Sequence, residues 1–89
     1  MQLPDVVTDD LVRRLRRIEG QVRGLQQMLA DGRECRDIIT QVSAASRAVD
    51  QVGFRLLAAG MATCLQDESA APEAGCDLEE VEKLFLKLA

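Results

Sequence analysis

Arg33–Cys64, RECRDIITQVSAASRAVDQVGFRLLAAGMATC, is the stretch whose reading decides the fold. Cys35, Ile38, Val42, Ala45, Val49, Val52, Leu56, Ala59 and Thr63 recur in alternating steps of three and four. That spacing predicts one unbroken helix with a heptad seam. A helix of about 30 residues is far longer than the globular mean. In a chain of 89 residues it needs partners along its whole length. Upstream, Leu11, Leu15, Ile18, Val22, Leu25 and Leu29 follow the same rhythm and predict a first helix of about 20 residues. It is too short to cover the second helix, so a second copy of the chain is the natural supply for the rest.

The two ends of the long helix carry Cys35 on the seam and Cys64 beside it, 29 residues apart. At 1.5 Å per residue they stand roughly 43 Å apart and cannot meet within one straight helix. They can meet when two copies pack antiparallel, Cys35 of one beside Cys64 of the other. The spacing therefore points to a homodimer with two paired-thiol sites.

The flanks complete a single all-α domain over residues 1–89. Residues 1–8 read as a polar lead, with Thr8, Asp9 and Asp10 as helix N-cap candidates. Asp31-Gly32 marks the turn between the long helices, and the second is expected to begin near Arg33 or Glu34. Residues 66–76 read as a loop that includes Cys76. Asp77 and Glu80 form a capping-box-like start to a short last helix, with Leu78, Val81, Leu84, Phe85 and Leu88 as its apolar face. Gly20 and Gly24 sit inside the first helix, where glycine is unfavourable by about 1 kcal/mol relative to alanine. Close approach of another helix is the expected compensation.

Composition narrows the functional classes. No apolar run approaches the roughly 20 residues that span a bilayer. The first residues do not resemble a signal peptide, so the expected location is the cytoplasm and the cysteines are expected as thiols. Net charge is −4, but its distribution is uneven. Residues 1–64 carry nine arginines against eight acids, and residues 65–89 two lysines against seven acids. Arg13, Arg14, Arg16 and Arg17 fall within five positions. Such a cluster is either a solvated helix face or a phosphate-contacting surface. No helix-turn-helix, finger or ribbon signature accompanies it.

The chain has no histidine. Structural zinc wants four protein ligands, and nickel or cobalt sites usually need imidazole. Two thiolates alone leave Cu(I) binding or sulfur chemistry, in which one thiol takes up sulfur and the other resolves it as a bridge. Arg36 and the helix start both favour a thiolate at Cys35, which is expected to attack, with Cys64 resolving. The plain alternative is that the cysteines are small hydrophobes in a helical interaction module. An enzyme is not expected: there is no phosphate loop and no nucleophile paired with a base.

The stretch Leu15-Arg16-Arg17-Ile18-Glu19-Gly20-Gln21-Val22-Arg23-Gly24-Leu25, followed by Cys35 and Gln41-Val42-Ser43-Ala44, resembles the copper-sensing repressor family (CsoR/RcnR-like) over nearly the whole chain. The resemblance implies a three-helix protomer, an antiparallel four-helix-bundle dimer, a dimer-of-dimers tetramer, and a repressor that releases operator DNA when its site is occupied. The family's copper sensors use a Cys–His–Cys set from two protomers. Its cysteines match Cys35 and Cys64, and its histidine falls on Gly60. A tyrosine beside the first cysteine is replaced by Glu34, and its glutamate partner matches Glu80; Glu34, Arg36 and Glu80 are thus expected around the thiols.

The histidine-free pair is similar to the family's persulfide sensors (CstR-like). The nickel and cobalt sensors need histidines, and the formaldehyde sensors carry proline where this chain has Gln2. The family's basic position on the first helix matches Arg14, with Arg13 and Arg17 beside it. A second basic position falls on Gln51, for which Arg47 or Arg55 is expected to substitute. The expectation is therefore a cytoplasmic repressor with no metal cofactor. It would contact operator DNA through Arg13, Arg14, Arg17 and Arg47, and release it when reactive sulfur species modify Cys35 and Cys64. Cu(I) held by the two thiolates is the alternative.

Overall fold

A computed structural model of the chain describes residues 3–66 and 78–89, with Cys64 and Gln66 described by backbone alone. It contains α1 (Asp5–Ala30), α2 (Cys35–Gln66) and α3 (Leu78–Leu88), and no strand among the described residues. The all-α, three-helix expectation holds. The first boundary does not. α1 begins at Asp5 with Pro4 as its N-cap, so Thr8, Asp9 and Asp10 lie inside the helix and residues 1–8 are not simply a polar lead. Proline suits this edge because it lacks the N–H that a helix start would leave unpaired. Val7 packs against the Leu11–Ile18–Val52 cluster, and that burial extends the helix backward past the apparent caps.

α1 and α2 form an antiparallel hairpin. Gly32 adopts φ +68°, which a residue with a Cβ rarely does. Arg33 N–H donates to the Met28 carbonyl at 3.0 Å and Gly32 N–H to the Leu29 carbonyl at 3.2 Å. This paired closure satisfies the last carbonyls of α1 and reverses the chain within residues 31–34. Asp77 and the expected 66–76 loop lie outside the described residues, apart from Gln66, which ends α2.

The heptad seam splits into two columns. Leu11 and Ile18 on α1, and Ala45 and Val52 on α2, are buried where the helices face each other. The alternate positions are left open: Leu15, Val22 and Leu29 are 47%, 45% and 65% exposed, and Val42, Val49 and Leu56 are 49%, 50% and 45% exposed. The chain measures 55 × 25 × 14 Å. One helix with its side chains is about 10–12 Å across, so the protomer is a single layer. A stable domain usually needs two packed layers.

α3 packs on the C-terminal half of α2. Phe54 and Phe85 meet with ring centroids 6.0 Å apart and planes tilted by 59°. Leu84 and Leu88 face Gly53, Leu57 and Gly60 across a groove of about 370 Å³. The expectation that another helix closes on Gly20 and Gly24 is not met within the protomer, where a Cβ at either would find nothing within 4 Å.

Candidate sensing site and nucleic-acid face

Cys35 is the first residue of α2, and its thiol is exposed. The Gly32 turn sets its position: three residues after that left-handed glycine the helix is already under way, with Ile38 N–H donating to the Glu34 carbonyl at 3.1 Å. Cys35 heads the open column that continues through Val42, Val49 and Leu56, seven residues at a time. The thiol thus stands on the face that the protomer leaves uncovered. Glu34 and Arg36 flank it and are exposed.

Cys64 lies in the last turn of α2, at the far end of the same helix. α2 runs without interruption between the cysteines, so one protomer does not bring them together. Gly60, one turn before Cys64, is buried in the groove beneath α3 and offers no donor atom. Glu80 lies in the first turn of α3 and is half-buried. Because α3 docks on the Gly53–Gly60 half of α2, Glu80 belongs to the Cys64 end and is not gathered with Glu34, Arg36 and Cys35. Among the described residues no group of three or more His, Cys, Asp or Glu side chains could hold a metal. Cys76 lies outside the described residues.

The arginines of α1 divide. Arg13, Arg16 and Arg17 are exposed. Arg14 is 34% exposed, and its Nε donates to Asp10 Oδ2 at 3.0 Å one helical turn away. That hydrogen bond, the largest effect, holds the Asp10 carboxyl below its usual range; desolvation opposes it, and the charges of Arg14, Arg13 and Arg55 each lower it further. Arg55 was only a substitute in the sequence reading, yet it lines one groove with Asp10, Arg13 and Ala58. The hairpin supplies the reason. It sets Ile18 beside Val52, which carries Arg55 toward the start of α1 and Arg47 toward its end. Arg47 is exposed, and no ion pair involves it among the described residues.

The likeness to known proteins agrees with this geometry. A family described as metal-sensitive transcriptional repressor matches residues 7–87. The copper-sensing transcriptional repressor RicR of Mycobacterium tuberculosis is 38% identical over 69 residues, covering 78% of this chain and 72% of that protein. The copper-sensing transcriptional repressor CsoR of Bacillus subtilis is 37% identical over 79 residues, covering 89% and 78%. The crystal structure of the copper-sensing repressor CsoR with Cu(I) from Geobacillus thermodenitrificans superposes with a TM-score of 0.80 at 35% identity, covering 98% of this chain and 91% of that one.

These likenesses correct the expectation of a chain with no metal. The matching family is metal-sensitive, and the Geobacillus relative is described with Cu(I). The reason lies in donor chemistry. A missing imidazole weakens the case for nickel or cobalt, but soft thiolates alone are a suitable set for Cu(I).

Proposed function

This chain belongs to the metal-sensitive transcriptional repressor family, and from that premise we propose that it binds operator DNA and releases it when Cu(I) occupies a dithiol site. The site pairs Cys35 of one copy with Cys64 of another. The family is one of repressors, not enzymes.

The observation that carries this reading is the place of Cys35. Its exposed thiol heads the open apolar column of a 32-residue helix whose other end carries Cys64. Antiparallel pairing of two copies along that column covers Val42, Val49 and Leu56 and sets Cys35 against the other copy's Cys64. Cys35 and the other copy's Cys64 would hold Cu(I) between them, which would link the two helix ends. The chain's own part is to bring two thiolates together and to couple their spacing to the arginine face of α1. A ligand shifts such an equilibrium only as far as its affinities for the two packings differ. Arg13, Arg14 and Arg17 on α1, with Arg55 or Arg47 on α2, are the proposed phosphate contacts. A DNA partner agrees with a place in the cytoplasm, and no helix among the described residues is long and apolar enough to cross a membrane.

The test is an anaerobic Cu(I) titration against a competing chelator, with DNA binding followed in parallel. Binding of one Cu(I) per protomer, with at least a tenfold loss of DNA affinity, is expected. Absence of chelator-resistant binding overturns the metal reading.

One observation favours a second reading, of reactive sulfur as inducer. The chain has no histidine, and by the family resemblance the copper sensors' histidine falls on Gly60, which is buried. A dithiol suffices for this chemistry. The Cys35 thiolate attacks the outer sulfur of a persulfide RSSH and releases RSH. The Cys64 thiolate of the other copy then attacks the Cys35 persulfide at its inner sulfur and expels hydrosulfide. The dithiol loses two electrons to the sulfane sulfur and becomes a disulfide. Mass spectrometry of the treated protein, read for interchain Cys35–Cys64 peptides, distinguishes this from Cu(I) binding. Unmodified thiols with retained DNA binding exclude it.

A further inference from the structure

Asp10 is an acid placed among the arginines that the sequence and the fold bring together. Its carboxylate accepts from Arg14 Nε at 3.0 Å and shares a groove with Arg13 and Arg55. Arg14 and Arg13 belong to its own helix, and Arg55 lines the same groove from α2. Asp9, one residue earlier, is exposed and has no ion pair among the described residues. Asp10 meets Arg14 one helical turn on. Asp9 has the same spacing to Arg13, but it is exposed and no bond joins the two, whereas Asp10 is half-buried beside the α2 groove.

We propose that Asp10 is a positioning residue that attenuates DNA binding, by occupying Arg14 so that this arginine contributes less than a full charge to phosphate contact. The proposal rests on the reading of the α1 arginines as a DNA-contacting face. Neutralising a phosphate releases condensed counterions, and each full contact steepens the salt dependence of binding by about 0.9 in logarithmic slope. An arginine already neutralised by a neighbouring carboxylate has less to exchange. The cluster of Arg13, Arg14 and Arg55 carries three positive charges, and Asp10 cancels one of them where the groove opens. Because Arg14 holds the Asp10 carboxyl below its usual range, the pair persists at neutral pH. It is lost only as pH falls through that lowered value. The attenuation is therefore constant under physiological conditions.

Asp10 fixes a ceiling on non-specific affinity. A repressor that must leave DNA when its site fills gains from weaker phosphate contact, since sequence-independent binding would otherwise persist after release.

The test uses the whole protein and a labelled mixed-sequence DNA duplex, because phosphate contacts carry no sequence information. Affinity is measured by anisotropy over a range of salt. Asp10→Asn is expected to tighten binding roughly fivefold to tenfold near 0.1 M salt and to steepen the slope by up to about 0.9 per protomer in contact. Asp9→Asn should move the slope by less than half as much. Arg14→Ala should weaken binding, and adding Asp10→Asn to it should recover little. Unchanged helical circular dichroism shows that each variant is folded. A slope unchanged by Asp10→Asn, while Arg14→Ala still weakens binding, overturns the attenuator and leaves the DNA face intact. Equal gains from Asp10→Asn and Asp9→Asn reduce the effect to bulk charge and also overturn it. No effect of Arg14→Ala removes Arg14 from the DNA face and takes the attenuator with it.

Discussion

Leu88 of α3 closes onto Gly53 of α2, with its Cδ2 2.7 Å from where a Cβ on that glycine would stand. The clash would fall on the far end of a flexible side chain, not on backbone. Gly53→Ala therefore turns Leu88 to another rotamer, and the helix propensity gained, about 1 kcal/mol, offsets much of that strain. Its stability should stay within about 1 kcal/mol of the parent. Gly53→Leu has no such escape and should lose about 1–3 kcal/mol as α3 lifts from α2. Thermal melts of the two variants check the contrast.

Gly60 is buried in the same groove, one turn before Cys64. Gly60→His places an imidazole at the position where the family resemblance puts the copper sensors' histidine. Cu(I) affinity should rise at least tenfold, measured by chelator competition. The larger side chain should also lower the melting temperature by several degrees, as overpacking by about 1–3 kcal/mol does in a small domain. Equal Cu(I) affinity in parent and variant would mean that this position does not reach the thiols.

Cys35→Ser and Cys64→Ser should each abolish the inducer response while leaving DNA affinity within about twofold, since neither residue is one of the proposed phosphate contacts. Mixing the two variants gives a sharper result. In an antiparallel heterodimer, one intact Cys35 faces one intact Cys64, so one of its two sites regains response, which is roughly a quarter of all sites in an equal, randomly paired mixture. A site formed within one protomer would regain none. Inducer titration of the refolded mixture decides between them.

Val49 lies midway along the open column of α2 and is half exposed. Val49→Glu would place a charge in the face proposed above to meet a second copy. Dissociation of the assembly should increase at least tenfold by sedimentation, as burying one unpaired charge is unfavourable by several kcal/mol. An unchanged association constant would move the interface to another face.

The helical period was legible because it is a property of one strand of sequence. The split of that period was not. Leu11 and Leu15 are equally apolar in the sequence, yet Leu11 is buried and Leu15 is 47% exposed, because α2 lies on only one side of the stripe. The start of α1 was missed for a related reason. Asp9 and Asp10 look like caps locally, but Val7 gains enough by packing on Ile18 and Val52 to carry the helix back to Asp5. At the candidate site, the placement of Cys35 and Cys64 at the two ends of one helix was readable from spacing alone. Arg55 needed the hairpin: only the pairing of Ile18 with Val52 shows that Arg55, and not Arg47, lines the groove that holds Asp10 and Arg13.

The 14 Å thickness of the chain has a thermodynamic meaning. A protein that completes its core only by association has no fixed melting point, because mass action enters its folding equilibrium. If the proposed pairing of copies completes the core of this chain, dilution acts on it as heating would, and the number of copies present sets how much of it is folded.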